Sequence, residues 1–157
     1  MTQRTPRPGQ RSLRKGRHSE AGRLYHVTAA TDDRKPLFLD HDLGRAMVNV
    51  WRRLDGEGAS RTLAFVIMPD HVHWLFALGE AIDLSKLIDR FKAASARQVN
   101  RLRGTAGSPV WQRGYYDHAL RRDEDVRAVA RYIIANPVRA GLVASVRNYP
   151  LWDAAWL

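Results

Sequence analysis

The sequence has no cysteine, fewer acidic than basic residues and no long apolar segment, and each of these features excludes a class of protein or of site. Without cysteine there can be no disulfide scaffold, no thiolate metal site and no cysteine nucleophile, which suits a reducing compartment. The longest apolar run, residues 63–68, is far shorter than the roughly 20 residues that a membrane-spanning helix needs. The arginine-rich N-terminus is not followed by an apolar segment, so no secretory signal peptide is predicted. We therefore expect a cytoplasmic protein with no membrane partner.

The shortage of acidic residues leaves the chain strongly basic. Its 26 lysines and arginines face 16 aspartates and glutamates, a formal net charge of +10, and 22 of these cations are arginine. A basic surface of this size favours a polyanionic partner. Because the chain lacks any apolar anchor for a membrane, nucleic acid is the expected partner.

The length and composition predict one domain with a substantial core. At 157 residues, 45% of them hydrophobic, the chain leaves no room for two ordinary domains. Residues 1–22 differ from the rest, because they carry six cations against one acid and almost no large apolar side chain. Such a stretch cannot bury enough surface to offset the entropy of ordering it. We predict a mobile basic arm over residues 1–22 and a single domain over residues 23–157.

The hydrophobic periodicity predicts four strands and three helices in a definite order. The predicted strands cover residues 24–29, 62–68 and 71–78, the last two as a hairpin, and a weaker strand covers 110–120, interrupted by Gly114. The first predicted helix runs from the N-cap Asp40 to Gly56, and the second begins at Asp83 and has an apolar stripe that includes Leu102. The third runs from 123–125 to about Asn136. The order β-α-β-β-α-β predicts an α+β, ferredoxin-like fold: an antiparallel sheet with both crossover helices on one face, plus an added C-terminal helix. This topology alone does not select a function.

Two histidines on the third predicted strand could carry chemistry. Side chains alternate along a strand, so His71 and His73 project from the same face, while Val72 and Trp74 go to the opposite one. At that spacing both imidazoles can reach one metal ion. The alternative is a pair of ordinary hydrogen-bonded histidines on a half-buried strand.

A second pair lies on the third predicted helix. Tyr132 and Asn136 are four residues apart, so both lie on one face of the helix. Taken alone, such a tyrosine is usually a packing residue, and Asn136 before Pro137 is usually a helix terminator. The two pairs together, with the basic charge and the predicted fold, are the parts of a metal-dependent DNA nickase with a tyrosine nucleophile.

With these motifs the sequence resembles the REP-associated tyrosine transposases, a bacterial branch of the single-tyrosine HUH transposases. The resemblance is carried by residues 64–74, 110–121 and 131–143 and extends from about residue 22 to the C-terminus. It implies that His71 and His73 bind the metal, that Asn136 completes the metal site and that Tyr132 is the nucleophile. The implied location is the cytoplasm of a bacterial cell, in association with the nucleoid.

The resemblance implies cleavage and rejoining of single-stranded DNA. A divalent cation would neutralise charge on the scissile phosphate, and Tyr132 would attack it, giving a 5′-phosphotyrosine and a free 3′-hydroxyl. Imidazole is not a preferred ligand of Mg²⁺, so Mn²⁺ is the other candidate. Zinc-dependent hydrolase chemistry is less expected, because no third histidine or glutamate lies at the usual zinc-ligand spacing from His71 and His73. Asp70 should point to the other strand face, unless the hairpin turn rotates it towards His71.

The resemblance also implies a DNA partner, namely single-stranded DNA beside hairpins of the repeated extragenic palindrome (REP) type, bound by a monomer or a homodimer. The cations predicted to contact DNA are Lys86, Arg90, Lys92, Arg97, Arg101, Arg113 and Arg121. The aromatic residues that could stack unpaired bases, or belong to the core, are Trp111, Tyr115 and Tyr116. Two alternatives remain: a binding module on the same fold without catalysis, and a metal-dependent nuclease in which water attacks.

Overall fold

The structure is a computed structural model that describes residues 20–156. Residues 1–19 of the predicted basic arm therefore lie outside the described part of the chain. The main-chain N–H of Gly22 donates to the carbonyl of Leu78 at 2.7 Å, and the N–H of Leu78 donates to the carbonyl of Arg23 at 3.0 Å. Pairing with the rest of the fold thus begins close to the predicted boundary.

Five strands form one antiparallel sheet, in the order β4-β1-β3-β2-β5. The strands are β1 Leu24–Ala30, β2 Ser60–Met68, β3 His71–Leu78, β4 Tyr116–Ala119 and β5 Trp152–Ala154. The helices are α1 His41–Gly56, α2 Leu84–Arg103, α3 Val126–Ile134 and the one-turn α4 Asn136–Arg139. Short 3-10 turns occupy Asp32–Arg34, Leu37–Leu39 and Val146–Asn148. The predicted β-α-β-β-α-β order with an added helix is confirmed, whereas α4 and β5 were not predicted.

Aspartate side chains begin the three longer helices. Asp40, Asp83 and Asp125 each accept a main-chain N–H from the first turn of α1, α2 and α3, at 3.0, 2.8 and 3.1 Å respectively. A side-chain oxygen at this position satisfies a donor that has no partner inside the helix. The acidic residues before each apolar stripe therefore set where the helices begin.

The two faces of the sheet are covered by different helices. On one face α1 and α2 pack over Val27, Trp74 and their neighbours, and the rings of Trp51 and Phe91 stack at 5.4 Å between centroids. On the other face α3 packs Ile133 against a second cluster that includes Val66 and Leu75. Both crossover helices thus share one face, as predicted, and the added helix covers the other.

Three local predictions differ from the structure. Leu102 is 59% exposed, because the last turn of α2 extends beyond the core. The strand predicted over 110–120 is reduced to four residues, since Gly114 has φ +75° and interrupts it. The third helix ends at Ile134, and Pro137 lies in the first turn of α4, where its missing N–H costs no hydrogen bond. In the described part of the chain, no helix is both long and apolar enough to cross a membrane.

Candidate active site

The candidate site lies on the sheet face that carries α3. His71 and His73 project from this face, and their ring centroids are 5.0 Å apart with the rings edge to face. Val72 and Trp74, between and after them, belong to the core on the other face. Alternation along β3 therefore brings the two imidazoles together, as the sequence predicts.

His71 is held from behind by a carboxylate. Its Nδ1 lies 2.7 Å from Oδ1 of Asp70, and the other oxygen of Asp70 accepts from Nε of Arg34 at 3.0 Å. Asp70 does not point to the opposite face: the exception that the sequence left open applies, and the two-residue hairpin turn rotates its side chain towards His71. With Nδ1 donating to Asp70, Nε2 of His71 is the ring nitrogen available to a metal.

His73 is held from the neighbouring strand. Its Nδ1 lies 3.0 Å from Nε2 of His26 and 3.1 Å from Oγ1 of Thr28, and Thr28 is its direct partner across the sheet. Sequence reasoning missed His26, Thr28 and Arg34 as parts of the site. Alternation along β1 puts His26 and Thr28 on one face, but only the strand register shows that this face carries His73.

Burial keeps the site histidines uncharged. It lowers the pKa of His73 to about 2, and repulsion from Arg139 and from the protonated forms of His71 and His26 adds to the effect. Burial, with a smaller contribution from His118, also lowers the pKa of His26 to about 4. For His71 burial lowers the pKa, although the hydrogen bond that its ring donates to Asp70 opposes this effect. Neutral imidazoles are the form that binds a metal ion.

A cavity of about 530 Å³ opens beside the histidine pair. It is lined by Thr28, Ala30, Arg34, His71, His73, Gln112, Arg113, Gly114, Tyr115 and Tyr116. One wall is the loop before β4, which is fixed from below by Lys92: its ammonium donates to the carbonyl of Gln112 at 2.9 Å and also to that of Gly114. The cavity combines two guanidinium groups and two tyrosine rings, which are groups that bind phosphates and bases.

Tyr132 lies on α3 and is 64% exposed. The guanidinium carbon of Arg139 lies over its ring, 3.9 Å from the centroid. Arg139 is also close enough to His73 to lower the pKa of that histidine. One arginine of α4 therefore contacts the tyrosine and acts electrostatically on His73.

Asn136 is half-buried at the start of α4. Its Nδ2 donates to the carbonyl of Ile133 at 2.8 Å, so the amide oxygen is the atom left to meet a cation. Within residues 20–156, no three side chains drawn from His, Asp and Glu are grouped to hold an ion. Two neutral imidazoles and an amide oxygen are ligand types that fit Mn²⁺, and Mg²⁺ with added waters.

The structure separates the cations predicted to contact DNA. Those of α2 lie with that helix on the sheet face opposite the histidines; they are Lys86, Arg90, Lys92, Arg97 and Arg101. Among them Arg90 pairs with Glu57, and Lys92 is bonded to the loop carbonyls described above. Arg113 lines the cavity, whereas Arg121 pairs with Asp123 at 3.4 Å. DNA contacts by these residues stay a prediction.

The three predicted base-stacking residues differ in placement. Trp111 packs against the core and donates from Nε1 to Oγ of Ser95 at 2.9 Å, and Tyr115 is buried in the same cluster. Tyr116 is half-buried and lines the cavity. Tyr115 and Tyr116 both line the cavity, and Tyr116 is the more exposed of the two.

Comparison with known proteins identifies the family. A family model described as "Transposase IS200 like" matches residues 21–136, a span that contains both histidines, Tyr132 and Asn136. A Haemophilus influenzae protein, described as a candidate REP-associated tyrosine transposase, is 31% identical over 138 residues. That match covers 82% of this chain and 78% of the relative. The chain belongs to the IS200-like transposases, among the REP-associated tyrosine transposases.

Further relatives of this transposase include one with bound DNA. An Escherichia coli REP-associated tyrosine transposase is 31% identical over 87 residues, which are 55% of this chain and 50% of the relative. The structure of a REP-associated tyrosine transposase bound to a REP hairpin matches with a TM-score of 0.67 and 26% identity, over 87% of this chain and 79% of the other. A candidate transposase from Deinococcus radiodurans, at 24% identity and a TM-score of 0.54 over 77% and 95% of the two chains, shares the fold.

Proposed function

We propose that this transposase is a metal-dependent enzyme that cleaves and rejoins single-stranded DNA beside REP-type hairpins, through a 5′-phosphotyrosine on Tyr132. One observation carries the proposal: the guanidinium of Arg139 contacts the exposed ring of Tyr132, and its charge also acts on His73, one of two half-buried, neutral histidines. A tyrosine that served only as packing would not be expected to remain 64% exposed.

The metal-binding residues in this proposal are His71, His73 and Asn136. Both histidines are fixed through Nδ1, which leaves Nε2 of each for the cation. When bound, Mg²⁺ or Mn²⁺ would supply Lewis-acid neutralisation of charge on the scissile phosphate. The two imidazoles favour Mn²⁺ over Mg²⁺ as the more tightly held ion.

The remaining chemistry belongs to the side chains. The hydroxyl oxygen of Tyr132 forms a bond to phosphorus, its proton passes to solvent, and the bond from phosphorus to the 3′ oxygen breaks. That oxygen takes up a proton and leaves as a free 3′-hydroxyl. The phosphotyrosine retains the energy of the phosphodiester, so a second 3′-hydroxyl can rejoin the strand without ATP. The positive charge of Arg139 opposes the charge that develops on the phosphate.

The proposed substrate is single-stranded DNA next to a hairpin. Support comes from the net charge of +10, from the relative whose structure holds a REP hairpin, and from the cavity of about 530 Å³ beside His71 and His73. Tyr116 and Arg113 line this cavity, and the proposal assigns them to contacts with an unpaired nucleotide. Such a substrate implies that the protein acts at the nucleoid in the bacterial cytoplasm. Size-exclusion chromatography distinguishes a monomer, in which α3 packs on the sheet of its own chain, from a homodimer of doubled mass.

The test is a labelled cleavage assay. Hairpin DNA with single-stranded flanks, labelled at the 5′ or the 3′ end, is incubated with Mn²⁺ and analysed on a denaturing gel. Wild type should form a slow-migrating adduct that carries the 3′-labelled fragment. Tyr132→Phe and His71→Ala should form none, and the exposed His41→Ala should behave as wild type.

Each alternative predicts a different gel. Cleavage that persists in Tyr132→Phe, with free 5′ ends and no adduct, would identify a nuclease that uses water. Tight binding that is indifferent to EDTA, without any cleavage, would identify a binding module on the same fold.

A further inference from the structure

His73 meets two side chains at the ring nitrogen that faces away from the proposed metal. Nε2 of His26 lies 3.0 Å and Oγ1 of Thr28 lies 3.1 Å from Nδ1 of His73, and the rings of the two histidines are 5.2 Å apart. His26 and Thr28 both lie on β1, two residues apart, and therefore on the same face. Neither residue is part of the proposed chemistry.

The register of the sheet accounts for this arrangement. Thr28 is the direct partner of His73 across the β1–β3 ladder, and His26 is the partner of Leu75, one diagonal step away. Diagonal neighbours on one face of an antiparallel pair are within reach of long or aromatic side chains. Both contacts are therefore built into strands at the centre of the sheet rather than into a loop.

The tautomer of His73 gives the contacts a consequence. A neutral imidazole carries its single proton on one nitrogen, and only the other nitrogen can bind a metal ion. If His73 uses Nε2 for the metal, its proton is on Nδ1 and needs an acceptor in a half-buried site. An unprotonated Nε2 of His26 is such an acceptor, and so is the hydroxyl oxygen of Thr28. If His26 instead donated to Nδ1, the proton of His73 would lie on Nε2 and block the metal.

We infer that His26 is a positioning residue of the metal site, which acts through His73 by accepting its Nδ1 proton and so directing Nε2 towards the cation, with Thr28 as the second acceptor. This inference rests on the proposed function, because it takes His73 as a metal ligand. The arrangement parallels that at His71, where Asp70 accepts the Nδ1 proton. The two proposed ligands thus differ in the group that accepts their Nδ1 proton: a carboxylate for His71 and neutral groups for His73.

The first test measures metal binding without DNA. Mn²⁺ is titrated into the full chain at pH 7.5, and free Mn²⁺ is followed by electron paramagnetic resonance. Loss of an outer partner of a metal-bound histidine usually weakens metal affinity about 10- to 100-fold. Because two acceptors share the task, we expect about 10-fold for His26→Ala and about 100-fold for His26→Ala combined with Thr28→Val. His26→Gln should restore most of the affinity, since its side-chain oxygen can accept the same proton, and His41→Ala should change nothing.

The second test reads the tautomer in the metal-free protein. Long-range ¹H–¹⁵N correlation spectra of the imidazole rings distinguish a proton on Nδ1 from one on Nε2. Wild type and His26→Gln should show His73 with its proton on Nδ1, and His26→Ala should show a mixture. If His26 had only a structural role, its replacement would not change the tautomer of His73. Circular dichroism of each variant shows whether the variant folds.

The outcomes separate this inference from the proposed function. If His71→Ala abolishes Mn²⁺ binding while His26→Ala keeps both the affinity and the tautomer, His26 has no positioning role and the proposed function is untouched. If Mn²⁺ affinity depends on His26 but wild type forms no adduct with DNA, the inference stands and the proposed function fails. A wild-type chain that binds no Mn²⁺, or that carries the His73 proton on Nε2, would overturn the inference.

Discussion

The guanidinium of Arg139 lies over the ring of Tyr132, with its central carbon 3.9 Å from the centre of the ring. The same charge acts on His73, whose pKa it helps to lower. A cation over an exposed aromatic ring contributes about 0.5–1 kcal/mol, so the contact orients the ring without fixing it. Arg139 thus contacts the proposed nucleophile and acts electrostatically on a proposed metal ligand.

Replacing Arg139 should therefore slow the chemical step more than it weakens DNA binding. We expect Arg139→Ala to lower the single-turnover rate of adduct formation by about 100-fold, the usual effect of removing one preorganised charge or donor. The rate of Arg139→Lys should lie between those of wild type and Arg139→Ala, because lysine keeps the charge but lacks the planar guanidinium group. Arg147→Ala, on an exposed 3-10 turn, is the control. An unchanged rate in Arg139→Ala at saturating DNA would contradict this role.

Much of the fold could be predicted because its signals are local. The N-cap aspartates, the apolar stripes and the two-residue hairpin turn each act over a few residues, and alternation on β3 alone brings His71 beside His73. The contacts behind the histidines could not be predicted in the same way. His26 and Thr28 precede His73 by 47 and 45 residues, and the sheet register that joins them is a property of the folded chain.

The cations show a second limit of sequence reasoning. The pattern of α2 places its charged side chains on the outer side of that helix, which the structure confirms for Arg97 and Arg101. Periodicity does not specify which face of the sheet a helix covers, so it could not show that α2 lies opposite the histidines. Arg34, which reaches Asp70 from a turn with two successive residues at positive φ, had no periodic signal at all.

Lys92 should prove to be structural, in contrast to Lys86 on the same helix. Its ammonium donates to the carbonyls of Gln112 and Gly114, which form a wall of the cavity, whereas Lys86 is exposed. We expect Lys92→Met to lower the free energy of unfolding by about 1–3 kcal/mol, because it leaves carbonyls without a charged donor. Lys86→Met should stay within about 0.5 kcal/mol of wild type. Urea denaturation checks both. Equal stability with a selective loss of hairpin affinity in Lys92→Met would instead favour a DNA contact.

Glu124 should make the start of the tyrosine helix sensitive to acid. The main-chain N–H of Arg121, which donates to its carboxylate at 2.8 Å, and a hydrogen bond from His118 hold the pKa of Glu124 below its usual 4.5. Because the folded-state pKa is the lower one, this stabilisation is fully present above pH 4.5 and is lost as pH falls through the folded-state value.

The matched comparison is between wild type and Glu124→Gln. The variant should be less stable than wild type at pH 7, and the difference in free energy of unfolding should narrow as pH falls below 4.5. Glu80→Gln, in the exposed turn after β3, should track wild type at both pH values. A difference between wild type and Glu124→Gln that widens on acidification would contradict the sign.

The exposed cations of α2 should contribute to DNA affinity but not to the reaction. Arg97 and Arg101 are one turn apart on the side of the sheet away from His71, so a DNA strand that meets them is distant from the reacting phosphate. If both contact phosphates, the double variant to alanine should reduce the slope of log K against log salt by about 1.4 for single-stranded DNA or about 1.8 for a duplex stem. Adduct formation at saturating DNA should keep its wild-type rate, whereas Arg113→Ala at the cavity should lower it. An unchanged salt slope would mean that the hairpin does not reach this helix, and a slower reaction at saturation would mean that these arginines act on the site itself.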